Sequence, residues 1–241
     1  MAKKRLIDLV LSKRVCQDRN EARRLILSGG VLVNGHRSSK PAEFLSADVI
    51  VTLASTQRSV SRAGQKLKHA FDSWGLDVTG ATTADIGAAS GGFTECMLQH
   101  GAKRVYAIET GKGLLNWKLR SDSRVVVLEE TNILHLDDLP EKLSFLSIDT
   151  SWTPLRLSLP HAARLLVHGG TAIALLKPNY EIQRPELLRE GILEDAVMRG
   201  QVVDEFIQWA SEAGWQSVRA IESPITGDKG NMEWLVYLVN P

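Results

Sequence analysis

The sequence contains little of what several classes of protein require. Only two of its 241 residues are cysteines, Cys16 and Cys96, and their separation fits no metal-ligand spacing, so we expect reduced thiols. The six histidines are scattered and indicate no metal site. No apolar run approaches the ~18 residues of a membrane span, and residues 1–5 lack the apolar core of a signal peptide. The chain is therefore predicted to be cytoplasmic, with no metal and no membrane contact.

Charge nearly cancels over the whole chain but not along it. The formal net charge is +1, yet residues 1–60 contain eleven Lys or Arg and five Asp or Glu, a net of +6, which leaves −5 for the remainder. A small basic head on a mildly acidic body predicts that the head binds a polyanion. Residues 54–59 are polar and aperiodic, as in a linker. Two domains are therefore expected, 1–58 (with the linker) and 59–241.

The basic head has a pattern of short elements. A helix is predicted at 21–27, and an apolar strand at 31–33 enters an Asn34-Gly35 turn, a strong hairpin signal. Residues 3–53 resemble the S-four domain, a small α/β module that binds structured RNA through its helix pair and strand loop. A merely solvated basic face is the alternative. The expected RNA-binding residues are Arg5, Arg19, Arg23, Arg24, Asn34, Arg37 and, just past the linker, Arg62.

A glycine-rich loop indicates the ligand of the body. Residues 85–94 are Asp-Ile-Gly-Ala-Ala-Ser-Gly-Gly-Phe-Thr, and the next apolar run ends at Glu109. Glycines allow a ligand to approach closely, and a carboxylate at that place suits ribose hydroxyls. The strict Gly-x-Gly-x-x-Gly spacing that seats a pyrophosphate is missing, so S-adenosylmethionine fits better than a dinucleotide. A plain strand-to-helix turn is the alternative.

The cofactor site is expected around this loop and the strand ends near it. Asp85 is expected either to order the loop or to face the methionine ammonium. The expected cofactor-binding residues are Asp85, Gly87, Ala88, Ser90, Gly91, Gly92, Phe93, Glu109, Thr110, Asn132 and Asp149.

Alternating strands and helices predict the fold of the body. The strand candidates after the loop are 105–108, 125–128, 143–148, 171–176, 216–221 and 233–238. Their order predicts an α/β fold with a mainly parallel sheet covered on both faces. Together with the loop expected to bind S-adenosylmethionine, the expected fold is a Rossmann-like class I methyltransferase with a mainly parallel seven-stranded sheet. Ligands of such sheets bind at the carboxyl ends of the strands. Four candidate residues fall at those ends: Asp85, Glu109, Asp149 and Lys177.

Two lysines and two carboxylates form the candidate catalytic set. Asp149 and Lys177 end apolar strands, where burial is costly unless they pair. One structural salt bridge is the alternative. Lys66 and Glu233 complete a set suited to methylation of a ribose 2′-hydroxyl.

The expected roles follow from lysine chemistry. A free lysine has a pKa near ~10.4 and is a poor base at neutral pH, but a second ammonium nearby lowers that value. Lys177 is therefore the expected base, and Asp149 orients it near the transferred methyl group. Lys66 is expected to lower the pKa of Lys177 and to hold the substrate ribose or phosphate. Glu233 is expected to fix Lys66.

Four segments together resemble one family. Residues 61–67, 85–94, 176–181 and 223–233 resemble, in the same order, TlyA-type proteins. These are FtsJ-like ribosomal RNA 2′-O-methyltransferases with an S-four domain, some of them called hemolysin A. The resemblance implies methylation of cytidine riboses in ribosomal RNA or ribosomal subunits, with S-adenosylmethionine as cofactor. It also implies a Lys-Asp-Lys-Glu tetrad, which falls on Lys66, Asp149, Lys177 and Glu233.

The chain departs from the family near the expected pockets. The family usually has Asp in place of Glu109, Tyr-Gly-Gln in place of residues 112–114, and Phe in place of Trp152. Trp152 is expected either to stack on a flipped base or adenine, or to pack in the core. Residues 181–191 are polar and are expected to form a mobile loop over the substrate.

Other functions compete with this interpretation. The chain could be an inactive RNA-binding relative, which the intact tetrad disfavours, or a methyltransferase for transfer RNA or a small molecule. The basic head disfavours a small molecule. A membrane-active hemolysin is the remaining alternative, and the lack of a long apolar run disfavours it.

Overall fold

The computed structural model describes residues 3–13, 18–27, 30–53, 61–182 and 185–241. The chain divides into two units, Met1–Ser59 and Val60–Pro241. The predicted linker, 54–59, and Cys16 lie outside the described residues. Within the described ranges, no helix is both long and apolar enough to cross a bilayer.

In its described residues the N-terminal unit has two helices and five short strands. In chain order these are β1 (Lys3–Arg5), α1 (Leu6–Ser12), α2 (Arg19–Leu27), β2 (Val31–Val33), β3 (His36–Arg37), β4 (Phe44–Ser46) and β5 (Val51–Leu53). Strand β1 pairs antiparallel with β4, and β2 pairs antiparallel with both β3 and β5. Leu6, Val10, Ala22 and Ile26 are fully buried between these elements, so the small unit has its own core.

The predicted hairpin of this unit is confirmed. Asn34 and Gly35 connect β2 to β3 with φ angles of 48° and 83°, the left-handed values that a two-residue hairpin turn requires. Strands β1 and β4 were not predicted, because three-residue strands with mainly exposed side chains have no apolar periodicity to detect.

The second unit alternates strands and helices. In chain order its elements are α3 (Arg62–Trp74), β6 (Thr82–Ile86), α4 (Gly92–Gln99), β7 (Arg104–Ile108), α5 (Trp117–Arg120), β8 (Val125–Leu128), β9 (Leu143–Ile148), α6 (Leu155–Leu165), β10 (Leu166–Leu176), α7 (Pro178–Glu181), α8 (Ala196–Glu212), β11 (Gln216–Glu222) and β12 (Trp234–Val239), with 3-10 turns at Ile133–His135, Pro185–Leu187 and Asp228–Gly230.

One seven-stranded sheet organises this unit. The strand order is β11-β12-β10-β9-β6-β7-β8, in which β12 is antiparallel to both neighbours and the other pairs are parallel. Successive side chains of a strand face opposite sides of a sheet. On β10, Ala172 and Ala174 pack in the core with α6 and α8, while Ile173 and Leu175 pack in the core with α3 and α4. The predicted mainly parallel sheet, covered on both faces, is confirmed.

The direction of β12 explains how a residue before a strand reaches the edge where the other strands end. Leu176, the last residue of β10, pairs with Trp234, the first residue of β12. Because the two strands are antiparallel, Glu233 precedes β12 at the edge where Lys177 follows β10. The carboxyl ends of the parallel strands and the amino end of β12 therefore share one edge of the sheet.

Candidate active site at the carboxyl edge of the sheet

A cavity of about 380 Å³ opens at this edge. Its walls come from the residues that follow β6, β7, β8, β9 and β10. The predicted residues that line it are Gly87, Glu109, Thr110, Asn132, Asp149 and Lys177, together with Leu114, Thr131, Ile133 and the segment 150–153. Five expected cofactor-binding residues and the expected base thus surround one space.

Gly87 lets the loop after β6 pass close to the strand end beside it. Its φ is +82°, and a Cβ at this position would lie 2.3 Å from the carbonyl oxygen of Asp149. Any side chain at Gly87 would therefore push apart the two segments that form one wall of the cavity.

Ala89 also lines the cavity, whereas the other predicted cofactor-binding residues of the loop do not. Gly91 has a φ of +93°, and a Cβ there would lie 2.2 Å from a side-chain carbon of Leu119. A Cβ at Gly92 would meet Ala63 and Ser61 at 2.7 Å, so this glycine allows α4 to pack against α3. Ala88 and Phe93 are buried, and Ser90 is exposed in the turn before α4. Their direct contact with a cofactor stays a prediction.

Asp85 is buried inside β6, and its carboxylate binds the protein. Oδ2 accepts hydrogen bonds from the backbone N–H and the hydroxyl of Thr94, both at 2.7 Å, and Oδ1 accepts one from the Ser147 hydroxyl at 3.1 Å. Burial raises the pKa of Asp85 to about 6, although these hydrogen bonds favour the ionised form. Of the two roles expected for Asp85, its contacts fit the ordering of the loop and α4.

Glu109 lines the cavity and also joins two loops. Its Oε2 accepts the N–H of Ala89 at 2.8 Å, and its Oε1 accepts the N–H of Gly111 at 2.8 Å and the Thr110 hydroxyl at 3.2 Å. A carboxylate oxygen can accept two hydrogen bonds, so Oε2 has one lone pair left. Glu109 can therefore hold both loops in place and still accept a hydrogen bond from a ribose.

Lys177 and Asp149 form an ion pair that lines the cavity. The Lys177 Nζ lies 2.6 Å from Asp149 Oδ1 and donates a further hydrogen bond to the Thr150 carbonyl oxygen at 3.2 Å. The side chains remain 13% and 22% exposed, so both are accessible from the cavity. Of the four candidate catalytic residues, Lys177 and Asp149 are the two that line this cavity.

Lys66 and Glu233 form a second pair that is more deeply buried, with side chains 11% and 4% exposed. The Lys66 ammonium donates directly to Glu233 Oε2. Burial raises the pKa of Glu233, and the hydrogen bond and charge of Lys66 oppose that rise. The charges of Lys177 and Asp149 also act on Glu233, so the other three groups all lie within electrostatic reach of Glu233. Lys66 faces a separate, more open cavity that Arg62 and the turn 226–230 also line.

Two aromatic rings lie next to each other near Lys177, and the Tyr180 ring is the one beside its Nζ. Trp152 is 84% exposed and has a φ of +65°, and its ring centroid lies 5.7 Å from that of Tyr180. The Tyr180 ring lies 5.8 Å from the Lys177 Nζ. Of the two expectations for Trp152, packing in the core is therefore wrong, and its ring is available to a planar ligand.

The residues that the sequence did not assign to the site have weak signals. Leu114 is an exposed leucine in a loop, and Thr131 and Ile133 flank the predicted Asn132. Only their neighbourhood with Asn132 and Thr110 could have indicated them. Residues 183–184 of the predicted mobile loop lie outside the described residues, and its remainder contains a 3-10 turn and a bridge between Arg189 and Ile192.

The predicted RNA-binding residues of the N-terminal unit lie partly together. Arg5, Arg19 and Arg23 line one surface cavity of about 330 Å³. The Arg5 guanidinium lies 5.5 Å from the centre of the Phe44 ring. Asn34 Oδ1 accepts the N–H of Ile50 at 2.9 Å, so this side chain also holds its own loop. Arg37 is exposed on β3 and Arg62 lies in the second unit, while the Arg24 side chain is outside the described residues.

The sheet order and the position of the cavity define the class of protein: a class I methyltransferase, whose methyl donor is S-adenosylmethionine. Comparison with known families agrees. Residues 59–240 match the FtsJ-like methyltransferase model, and residues 4–51 match the S4 domain. The chain belongs to the FtsJ-like methyltransferase family.

Several relatives match this chain over nearly its whole length. The 16S/23S rRNA (cytidine-2′-O)-methyltransferase TlyA of Mycobacterium tuberculosis is 33% identical, over 99% of this chain and 91% of the relative. Hemolysin A of Brachyspira hyodysenteriae is 34% identical, over 98% of this chain and 99% of the relative. A solved structure of a Streptococcus thermophilus protein that bears a hemolysin name is 37% identical. It has a TM-score of 0.73 and covers 100% of this chain and 89% of its own.

No group of three or more His, Cys, Asp or Glu in the described ranges is arranged to hold a metal ion.

Proposed function

We propose that this protein transfers a methyl group from S-adenosylmethionine to the 2′-hydroxyl of a cytidine in ribosomal RNA, in a ribosomal subunit. The Lys177–Asp149 pair at the wall of the cavity is the observation that carries the proposal, because an amine held against a carboxylate is suited to receive a hydroxyl proton. The TlyA relative supports the same choice of atom and nucleotide.

The residues of the cavity fit S-adenosylmethionine. Its sulfonium is positive, and the cavity presents the carboxylates of Glu109 and Asp149. Glu109 would accept from the ribose hydroxyls, Gly87 would admit the ligand close to the backbone, and Asn132 and Leu114 would flank the adenine. When bound, the cofactor supplies an electrophilic methyl group.

The proposed chemistry depends on Lys177. As the ribose 2′-oxygen forms its bond to the methyl carbon, the bond from that carbon to sulfur would break and leave its electron pair on sulfur, while the hydroxyl proton passes to the Lys177 Nζ in its neutral form. Asp149 orients that amine and stabilises the ammonium that forms. Lys66, held by Glu233, adds positive charge beside the substrate. Positioning of the reacting atoms supplies much of the acceleration, because the displacement consumes the charge of the sulfonium.

The N-terminal unit would deliver the RNA. Arg5, Arg19 and Arg23 surround one surface cavity, and guanidinium groups bind phosphates bidentately. Such contacts fix the position of a nucleic acid on the protein but do not recognise its sequence. The proposal therefore assigns affinity to the first unit and chemistry to the second.

The experiment that tests the proposal measures transfer of labelled methyl from S-adenosylmethionine to small and large ribosomal subunits that lack the modification. Wild type is compared with Lys177→Ala and with Lys103→Ala, a control that removes an exposed lysine beside the start of β7, at the opposite edge of the sheet. Label in RNA with wild type and Lys103→Ala, but not with Lys177→Ala, is expected.

The labelled subunit and nucleotide then give the substrate. Resistance of the labelled position to alkaline cleavage identifies a 2′-O-methyl group. Label on a base instead of a ribose, or no label on either subunit despite measurable cofactor binding, would contradict the proposal.

A further inference from the structure

Glu181 is a buried carboxylate to which the reaction assigns no role. It is the last residue of α7, the short helix that begins immediately after Lys177, and its side chain is only 2% exposed. Burial raises the pKa of Glu181, and the N–H of Leu155 and the charge of Arg156 oppose that rise. Burial of a carboxylate costs free energy unless hydrogen bonds and opposite charges compensate for the lost water.

One oxygen of Glu181 binds the start of another helix. Oε1 accepts the backbone N–H of Leu155, the first residue of α6. The residue before it, Pro154, supplies no side-chain cap, so Glu181 acts as the acceptor at this helix end. Helix α6 follows directly on segment 149–154, which carries Asp149.

The other oxygen faces the side chain of Arg156. Oε2 lies 3.6 Å from the Arg156 Nε, and neither atom has a hydrogen-bond partner among the described residues. The Arg156 guanidinium also lies 5.5 Å from the centre of the Trp209 ring. The main hydrogen bond of the carboxylate is therefore the one from Leu155, and the backbone N–H of Arg156 adds a smaller attraction.

Short, hydrogen-bonded segments connect this contact to the cavity. The N–H of Tyr180 donates to the Lys177 carbonyl oxygen at 2.8 Å, which makes 177–181 one turn. On the other side, the Thr150 hydroxyl donates to the Thr153 carbonyl oxygen at 3.0 Å and closes the loop after Asp149. Movement at Glu181 would therefore be passed to both members of the ion pair.

We propose that Glu181 is a positioning residue for the Lys177–Asp149 pair: it ties the helix that follows the lysine to the helix that follows the aspartate. The inference rests on the proposed function of that pair. Removing the tie leaves the cofactor-binding residues Gly87 and Glu109 untouched but loosens the 2.6 Å contact between Nζ and Oδ1.

The test compares Glu181→Ala with Glu181→Gln. Glutamine keeps an oxygen that can accept the Leu155 N–H, whereas alanine removes it. Glu181→Ala is expected to lower kcat about a hundredfold, the effect of a misplacement near 1 Å, with little change in the KM for RNA or the Kd for S-adenosylmethionine. Glu181→Gln is expected to restore most of kcat. Leu159→Ala changes a buried residue of α6, the helix that begins at Leu155. It is the control that lowers Tm but leaves kcat close to that of wild type.

A second measurement needs no catalysis and separates this inference from the proposed function. The rate at which an amine-acylating reagent modifies Lys177 is followed by mass spectrometry at fixed pH, with exposed Lys103 as internal reference. In Glu181→Ala the rate at Lys177 is expected to rise several-fold, because the amine is no longer held against a carboxylate, while Glu181→Gln stays near wild type. This result is expected even if the wild type methylates no ribosomal RNA.

An unchanged labelling rate in Glu181→Ala would overturn the inference, as would a kcat that follows Tm equally in Glu181→Ala and Leu159→Ala. If the alanine variant does not fold, Glu181→Asp takes its place. It keeps the charge but withdraws the carboxylate from Leu155 by one methylene, and the same results are expected of it.

Discussion

Two lysine–carboxylate pairs lie at one edge of the sheet, and they differ in their surroundings. Lys177 and Asp149 line the cavity, with a carbonyl oxygen and the Tyr180 ring beside the ammonium. Lys66 and Glu233 are more deeply buried and do not line that cavity. The same two chemical groups are thus present twice, once at the wall of that cavity and once more deeply buried, where Lys66 borders the separate, more open cavity.

The difference separates two kinds of contribution. A pair at a cavity wall can exchange a proton with a ligand, so its value lies in the reaction. A more deeply buried pair gives little net stability, yet removal of one member leaves an uncompensated buried charge. We therefore expect changes in the first pair to affect turnover and changes in the second to affect folding first.

The largest expected effect is on turnover. Lys177→Ala is expected to lower methyl transfer by about 10³-fold or more, the range of a lost general base, without a matching loss of cofactor affinity or Tm. Lys177→Arg is the matched variant, because it keeps the positive charge but cannot release its proton. Calorimetry with S-adenosylmethionine and single-turnover transfer measure the two properties separately. Activity retained in Lys177→Arg would show that charge, and not proton transfer, is what this position supplies.

The second pair should give the opposite profile. Lys66→Met leaves Glu233 buried without its cation, and the free energy of unfolding is expected to fall by about 3–5 kcal/mol in urea titrations. The double variant Lys66→Met/Glu233→Leu removes both charges and is expected to recover much of that loss. A double variant as unstable as the single one would mean that the pair itself, and not the stranded carboxylate, carries the stability.

Much of this edge was predictable from local sequence. Glu109, Asp149 and Lys177 each follow an apolar run, and parallel strands bring such positions to one edge. Glu233 was predicted in another way, as the residue that completes the Lys-Asp-Lys-Glu tetrad implied by the TlyA-type resemblance. An antiparallel β12 then brings the residue before the strand to the edge where the others end.

Other features depend on contacts that local sequence does not contain. Asp85 was expected at a strand end, but β6 continues to Ile86, and a shift of one residue turns the side chain from the edge to a face. There it binds Thr94 and Ser147. Glu181 likewise acts on Leu155, 26 residues away in sequence, and no periodicity relates the two.

Asp85 is a buried carboxylate that can be compared with the two ion pairs, because the hydrogen bonds it accepts come from uncharged donors. Its folded-state pKa, about 6, lies above the ordinary 3.8, so between these values the folded protein binds more protons than the unfolded one. The free energy of unfolding of wild type relative to Asp85→Asn should therefore fall as the pH rises from about 4 to 6 and stay level above 6. The full change is on the order of 3 kcal/mol. Urea titrations of both proteins from pH 4 to 8 measure it, and parallel stability curves would contradict it.

The smallest expected effect concerns Trp152. Its exposed ring lies next to Tyr180, the aromatic residue beside Lys177, and the more deeply buried pair has no such ring described beside it. Stacking of a base on an aromatic ring contributes about 1–3 kcal/mol, so Trp152→Ala is expected to raise the KM for RNA by about tenfold or somewhat more. The Kd for S-adenosylmethionine should change little if the ring receives the target base, whereas a ring that receives the adenine would weaken cofactor binding instead. Trp152→Phe is the matched variant, since it keeps a stacking face with a smaller area, and it should lie between wild type and alanine. Equal KM values for all three proteins would mean that Trp152 does not stack on the substrate. The two pairs would then differ in exposure alone.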